Sequence, residues 1–243
     1  MTSENPPRAQ RALRVAKVSK NFGRQRALID VSLEFSPAAV TAIVGPNGAG
    51  KTTLLGILST LVRPTSGEIR LGDDALDRAA RHRIGHVGHE PGIYPDLSAR
   101  QNLGLFAALY ALTDPGARVA SMLERVGLSD VRGDLPARAF SRGMLQRLAL
   151  ARALLHEPEI LLFDEPSSAL DPTGARWLGE ELVRERESGR LVILVTHDLD
   201  AAAQVASHIV VIRRGRVALD RQQAQGFAAH EVRGLYEEAL RDR

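Results

Sequence analysis

Cysteine is absent from this 243-residue sequence, aromatic residues make up only 4% of it, and lysine occurs only at Lys17, Lys20 and Lys51. Without cysteine, disulfides and thiolate chemistry are excluded. No apolar run approaches the roughly 18–20 residues that cross a bilayer, and the opening "MTSENPPRAQ" lacks the apolar centre of a secretory signal. A formal net charge of +3 gives no reason to expect nucleic acid as a partner. We therefore expect a globular protein that begins with a flexible tail over residues 1–11.

A phosphate-binding loop is predicted where the β-branched run "VTAIV" leads into "GPNGAGKTT" and then into the apolar "LLGILSTL". Strand, glycine-rich loop and helix together are the context in which G-x-x-x-x-G-K-[ST] predicts phosphate binding. The three glycines permit backbone conformations that aim successive N–H groups at phosphate oxygens, and the helix N-terminus adds positive partial charge. Lys51 would reach the β- and γ-phosphates, and the Thr52 hydroxyl would bind Mg²⁺. The predicted contacts are Gly45, Pro46, Asn47, Gly48, Ala49, Gly50, Lys51, Thr52 and Thr53.

Two further strands end in polar residues. "EILLFDEP" places Asp164 and Glu165 after a buried apolar run, and "RLVILVTHD" ends at His197. Alone, an acidic pair more often marks a solvated strand end. When a phosphate loop is also present, such a pair at the C-terminal end of a strand lies at the edge where parallel sheets bind ligands. We expect Asp164 to hold Mg²⁺, Glu165 to act as general base on the attacking water, and His197 to contact the γ-phosphate.

These segments together resemble the ATP-binding subunit of an ABC transporter, over about residues 12–220. "FSRGMLQRLALARALLHEP" resembles the family signature and its helix, "SSALD" the D-loop, and His197 the H-loop switch. Phe22 stands where the family keeps an aromatic residue that stacks on adenine. The resemblance implies an α/β fold: a P-loop NTPase (RecA-like) core with an antiparallel β subdomain and an inserted α-helical subdomain at about 92–157. We expect a last hairpin turning at Gly215 and a C-terminal helix over 221–243.

The resemblance also implies partners. Two such domains, identical or closely homologous, would face each other head to tail around two ATP molecules, each with Mg²⁺. Ser141 and Gly143 would then contact the γ-phosphate across the dimer, and the D-loop residue Asp171 would lie at the nucleotide. A separate transmembrane permease would hold the pair at the inner face of the cell membrane, in the cytoplasm. The signature departs from the usual Leu-Ser-Gly-Gly-Gln. Arg142 replaces the first glycine, and it either adds charge near the phosphate or points to solvent.

Three histidines cluster in "RHRIGHVGHEPGIYP", at His82, His86 and His89. An extended segment sends His86 and His89 to opposite faces, and the glycines and proline disfavour the helix that would align all three, so a metal site is not expected. His89 is either a solvated loop residue or a replacement for the glutamine of common family members, able to contact Mg²⁺ and the attacking water.

The stretch "GHEPGIYP" also resembles the cytochrome c maturation, or haem exporter, type of ATP-binding subunit. That resemblance predicts export of haem or another small molecule. The alternative is a soluble ABC ATPase, such as one that assembles iron–sulfur clusters.

Overall fold

A computed structural model of the chain describes residues 11–168 and 170–241, so residues 1–10 of the predicted tail lie outside it. The strands are β1 (Leu13–Phe22), β2 (Gln25–Phe35), β3 (Ala39–Val44), β4 (Ser66–Leu71), β5 (Asp74–Ala75), β6 (Ile84–Val87), β7 (Ile160–Asp164), β8 (Leu191–Val195), β9 (His208–Arg213) and β10 (Arg216–Gln222). The helices are α1 (Lys51–Leu58), α2 (Ala99–Leu109), α3 (Pro115–Arg125), α4 (Arg142–Leu154), α5 (Pro172–Glu187), α6 (Leu199–Val205) and α7 (Ala229–Arg241). None of the helices described is long and apolar enough to cross a membrane.

The larger sheet has six strands in the order β10-β9-β3-β8-β7-β6. All neighbouring pairs are parallel except β9 and β10. The inner strands are buried along nearly their whole length, which explains their continuous apolar sequences. Because β3, β8 and β7 are adjacent and parallel, the phosphate loop, His197 and the acidic pair follow the same edge of the sheet.

The smaller sheet is antiparallel, with the strand order β2-β1-β4-β5. Its apolar face shares one core with α1 and the larger sheet. In that core Phe35 of β2, Leu54 of α1 and Ile160 of β7 are all fully shielded from solvent. The predicted fold class, a P-loop core with an antiparallel β subdomain, is therefore confirmed.

Helices α2, α3 and α4 form a separate apolar cluster, with Leu103, Leu123 and Leu148 at its centre. The side chain of Ser141 caps α4 by accepting a hydrogen bond from the Met144 N–H at 3.3 Å. These helices lie within the range 92–157 that the sequence assigns to a helical subdomain.

Buried ion pairs join the helical cluster to α5. Arg125, the last residue of α3, donates to the carboxylates of Glu181 and Glu185, whose side chains are each only 2% exposed. Arg190, which follows the C-terminal end of α5, also pairs with Glu185. The helical part is thereby fastened to the helix that follows the D-loop.

The C-terminal region differs from the sequence-based boundary. Residues Arg221 and Gln222 still belong to β10, and α7 begins only at Ala229. Between them the Gly226 N–H donates to the Gln223 carbonyl, and Gly226 has a φ of 77°, so a turn interrupts the chain before the helix. The predicted helix over 221–243 is therefore wrong at its start. The predicted β9–β10 hairpin with Gly215 in its turn is confirmed.

The N-terminal boundary also differs, by one residue. The sequence places Arg11 in the flexible tail, but its guanidinium pairs with Asp74 at 2.7 Å and with Glu159 at 2.8 Å. These ion pairs anchor Arg11 to the folded part of the chain.

Candidate active site

The phosphate loop owes its shape to glycines with positive φ. Gly45, Gly48 and Gly50 have φ values of 153°, 75° and 110°. A Cβ on Gly45 would lie 2.2 Å from the Ile212 carbonyl oxygen, and one on Gly50 would lie 2.6 Å from that of Ala27. The loop is thus pressed against neighbouring backbone, and the predicted need for glycine is confirmed at all three positions.

Lys51 is the first residue of α1, and its ammonium lies beneath this loop. The residue is 7% exposed, and Nζ donates to the carbonyls of Gly45 at 2.7 Å and Pro46 at 3.0 Å. Burial lowers the pKa of Lys51, while the charges of Glu165 and Asp164 act in the opposite direction. A cation is therefore held between the loop and the acidic pair, where a nucleotide polyphosphate requires one.

Asp164, the last residue of β7, is 7% exposed and hydrogen-bonds the side chain of Thr52. Burial raises the pKa of Asp164, whereas the Thr52 hydrogen bond and the charges of His89 and Lys51 lower it. A threonine hydroxyl beside a carboxylate is an oxygen donor set of the kind that Mg²⁺ prefers. The residues present therefore fit the predicted cation.

Glu165 follows Asp164 with a φ of 52°, which is unusual for a residue with a side chain. Three hydrogen bonds hold its backbone: its N–H donates to the Val195 carbonyl at 2.9 Å, and its own carbonyl accepts from the Ser168 N–H and hydroxyl. Its Oε2 atom lies 2.9 Å from Nδ1 of His197 and 3.4 Å from Oγ1 of Thr196. Backbone strain of this kind is typical of functional sites.

These residues surround one pocket of about 620 Å³, which we call the phosphate-loop pocket. His89 and Phe22 both line this pocket, and both are exposed. Phe22 is the last residue of β1. The pocket lining consists of Phe22, Gln25, Ala27, Asn47, Gly48, Ala49, Gly50, Lys51, Thr52, Thr53, His89, Asp164, Glu165 and Val195. The structure thus brings together most of the residues that the sequence assigns to one nucleotide.

Ser141, Gly143 and Asp171 are not among the described residues that line this pocket. Ser141 and Asp171 are helix caps instead: the Asp171 carboxylate accepts from the Gly174 N–H at 2.7 Å, at the start of α5. Arg142 is exposed. Within one chain, the signature and the phosphate loop therefore do not share a pocket.

The other two clustered histidines are separate from His89. His82 lies in a 3₁₀ turn, and His86 lies in β6, where burial, reinforced by the charge of Arg152, lowers its pKa to about 4. Among the described residues there is no group of three or more histidine and acidic side chains that could hold a metal ion.

Sequence reasoning missed Thr196 and Ser168, which both contact Glu165. Thr196 is fully buried, and its Oγ1 accepts a hydrogen bond from the Asp198 N–H at 3.0 Å. Its hydroxyl hydrogen is therefore free to point toward the Glu165 carboxylate. A hydroxyl residue closing an apolar strand next to His197 is the signal that could have found Thr196. Ser168 carries no such signal, because its role depends on the turn conformation.

Comparison with known proteins finds relatives that are named as ATP-binding proteins. The relatives include the daunorubicin resistance ATP-binding protein DrrA3 of Streptomyces coeruleorubidus, 40% identical over 86% of this chain and 67% of the relative. The lantibiotic transport ATP-binding protein SrtF of Streptococcus pyogenes is 31% identical over 86% of this chain and 90% of its own length. The aliphatic sulfonates import ATP-binding protein SsuB of Pseudomonas putida is 36% identical over 98% of this chain and 88% of its own.

Among solved structures, a dimeric post-hydrolysis state of the ATP-binding cassette MJ0796 bound to ADP and Pi superposes with a TM-score of 0.79 at 28% identity, covering 86% of this chain and 98% of that one. The structure of cbiO1 from Clostridium perfringens, part of the ABC transporter complex cbiONQ, gives a TM-score of 0.80 at 29% identity, covering 96% and 94%. The family model described as ABC transporter matches residues 28–168, which is more than half of the chain. The chain therefore belongs to the ABC transporter family and carries the ATP-binding domain of that family.

Proposed function

We propose that this chain hydrolyses ATP as one of a pair of subunits that drive a separate membrane permease. The observation that carries the proposal is the convergence of Lys51, Asp164, Glu165 and His197 at one edge of the sheet. A cation for phosphates, a carboxylate for a metal ion and a second carboxylate paired with a histidine are the groups that phosphoryl transfer to water requires.

The phosphate loop and the residues beside it would bind the nucleotide. Lys51 would leave the carbonyls of Gly45 and Pro46 to bond the β- and γ-phosphates. Thr52 and Asp164 would hold Mg²⁺, with His89 close enough to bond a water in its coordination sphere. When bound, the ion neutralises the phosphate charge and orients the γ-phosphoryl group. The Phe22 ring would stack on the adenine.

The water that attacks the γ-phosphate would be oriented by Glu165, which accepts its proton as general base. His197 fixes the carboxylate through the 2.9 Å contact to Oε2, and Thr196 supports the same oxygen from the strand end. Three backbone hydrogen bonds keep Glu165 in its left-handed conformation and so hold the carboxylate at the sheet edge. The His197 side chain is 69% exposed, so it can also reach the γ-phosphate as the sequence predicts.

A second copy would complete the site. Ser141 and Gly143 stand at the N-terminus of the 13-residue helix α4, outside the phosphate-loop pocket of their own chain. A helix N-terminus attracts anions, so these residues suit the γ-phosphate of a nucleotide that a partner subunit holds. Asp171 caps α5, the helix that follows the acidic strand, and would lie at the contact between the two copies.

The permease would dock on the helical part of the chain. Tyr94, Leu109 and Leu135 are large apolar residues within the range 92–157, and they are 51%, 69% and 42% exposed. Three of the five large apolar residues that are exposed in the described part of the chain thus lie in this range, and we take this part as the permease contact. A permease on this segment would hold the chain at the inner face of the membrane.

For the cargo, we propose export of a small amphipathic molecule. The relative with 40% identity is named for daunorubicin resistance, and another is named for lantibiotic transport. A relative that matches 98% of this chain is named for sulfonate import, so uptake is the competing direction. Export of haem stays a prediction from "GHEPGIYP" alone, since these names do not concern haem.

The test is to express the chain with a permease encoded beside it and to isolate the complex in detergent. We expect Mg²⁺-dependent ATP turnover in the complex, loss of turnover in Lys51→Ala, and stimulation by an amphipathic drug in proteoliposomes. Stimulation by haem alone would support the cytochrome c maturation type instead. Recovery of the chain with a soluble iron–sulfur assembly partner and no permease would contradict the transport proposal.

A further inference from the structure

The ammonium of Lys20 lies over the ring of Phe22, with Nζ 4.8 Å from the ring centroid. Both residues belong to β1, of which Phe22 is the last residue. Phe22 is 50% exposed and supplies the phenyl ring in the described lining of the phosphate-loop pocket. A fixed cation therefore stands against the ring that the proposed function assigns to adenine.

Lys20 is held in place from a second direction. Its Nζ donates to the Arg63 carbonyl at 2.8 Å. The neighbouring Asn21 N–H donates to Oγ1 of Thr65 at 3.0 Å, and the Thr65 N–H donates to the Ser19 carbonyl at 2.8 Å. The end of β1 is thus tied to the segment that follows α1, and Lys20 is half-buried rather than free in solvent.

A cation on one face of an aromatic ring has two physical effects. It is attracted to the negative face of the ring quadrupole and so restricts the side chain to the orientation in which the contact forms. It also draws π-electron density toward itself, which makes the opposite face a better partner for an electron-rich purine. A ring that is already oriented loses less conformational freedom when a base stacks on it.

We propose that Lys20 is a positioning residue for base recognition: its ammonium holds and polarises the Phe22 ring, which then receives adenine on its other face. The inference rests on the proposed function, because it requires a nucleotide at the phosphate loop. Lys20 acts through Phe22 and does not touch the nucleotide.

Two simpler roles for Lys20 give different predictions. If its charge attracted phosphate, as Lys51 does from within the loop, its loss would weaken every polyphosphate ligand. If it served only to tie β1 to Arg63, its loss would weaken binding whether or not Phe22 carried an aromatic ring. A base-free ligand and a ring-free background separate these roles from the proposed one.

The experiment titrates the full chain by calorimetry with Mg–ADP and with Mg–pyrophosphate, which lacks the base. Lys20→Met should weaken ADP binding about 2–5-fold (about 0.4–1 kcal/mol, at 1.4 kcal/mol per tenfold) and leave pyrophosphate binding unchanged. Lys20→Arg should restore ADP affinity, because a guanidinium also binds ring faces and donates hydrogen bonds. Lys20→Gln serves as a second neutral variant if Lys20→Met does not fold.

The same substitution is then made in a Phe22→Leu background, where no ring remains. There Lys20→Met should change ADP affinity by less than about 1.5-fold, so that the two residues are coupled in a double-mutant cycle.

Equal losses for ADP and pyrophosphate would overturn the proposal in favour of phosphate attraction. A loss that persists in Phe22→Leu would overturn it in favour of strand anchoring. Unchanged ADP affinity in Lys20→Met would overturn it outright. If the wild-type chain bound neither ligand, the proposed function itself would fail, which is a distinct result.

Discussion

Nδ1 of His197 lies 2.9 Å from Oε2 of Glu165, and this contact joins the residues that follow two adjacent strands, β8 and β7. Thr196 lies 3.4 Å from the same carboxylate oxygen and is itself fixed by the Asp198 N–H. The proposed base is therefore oriented by side chains of the next strand as well as by its own backbone.

Replacing Thr196 by valine should reduce kcat about 2–10-fold with little change in KM. One hydrogen bond typically contributes about 0.5–1.5 kcal/mol, and this one orients Glu165 rather than binding nucleotide. Thr196→Ser keeps the hydroxyl and is the matched control. Steady-state ATPase kinetics measure both constants. A rise in KM at constant kcat would show that Thr196 serves nucleotide binding instead.

The phosphate loop should reject a methyl group at Gly45. The added Cβ would lie 2.2 Å from the Ile212 carbonyl oxygen, so Gly45→Ala has to displace β9 or the loop, and we expect roughly a tenfold or greater loss of ATP affinity. Gly48→Ala is the matched control, because no atom lies within 4 Å of its Cβ and only the positive φ is unfavourable, at roughly 1 kcal/mol. Nucleotide titration of both variants checks this. Equal effects would refute the steric argument.

Stability should fall between about pH 6.5 and pH 4 because of two half-buried histidines. Burial lowers the pKa of His86 and of His156 to about 4. In the unfolded chain both protonate near pH 6.5, so the unfolded state binds more protons in this window and is favoured as the pH falls. Each histidine would contribute on the order of 1–3 kcal/mol, since one pKa unit corresponds to about 1.4 kcal/mol.

Urea unfolding of the wild type and of the double variant His86→Gln/His156→Gln measures this contribution as a function of pH. The loss from about pH 6.5 to about pH 4.5 should be smaller in the double variant. Stability profiles that run parallel would show that these histidines do not cause the acid sensitivity.

Breaking the ion pairs of Arg125 should destabilise the fold. Arg125→Met leaves Glu181 and Glu185 without one of their cations while both side chains are 2% exposed, which we expect to cost roughly 3 kcal/mol. Arg184 pairs with the same Glu181 but is 60% exposed, so Arg184→Met should cost less than about 1 kcal/mol. Chemical unfolding compares the two variants. Equal losses would mean that burial does not govern this network.

The part of the site that the sequence predicts well is local. The phosphate loop, its strand and its helix lie within one continuous segment, and the positive φ values of Gly45, Gly48 and Gly50 follow from the motif. The acidic pair and His197 come from distant segments, but each follows a buried strand, and parallel strands place their ends together. For these residues, the hydrophobic pattern and the position along the chain are sufficient to predict where they lie in the fold.

The parts that the sequence does not predict depend on contacts between distant residues. Arg125 and Glu181 are 56 residues apart, and their pairing cannot be read from charge pattern alone. Lys20 donates to the Arg63 carbonyl only because the fold brings β1 close to the segment after α1. The start of α7 is not predicted because the turn at Gly226 lies inside a stretch of otherwise helix-compatible residues.

The most direct test of the central claim is ATP turnover by Glu165→Gln, which keeps the size and hydrogen-bonding capacity of the side chain but cannot accept a proton. We predict that kcat falls by about 10²–10⁴-fold, as for loss of a general base, while ATP still binds and holds two chains together as a dimer in size-exclusion chromatography. Turnover at the wild-type rate in Glu165→Gln would contradict the account.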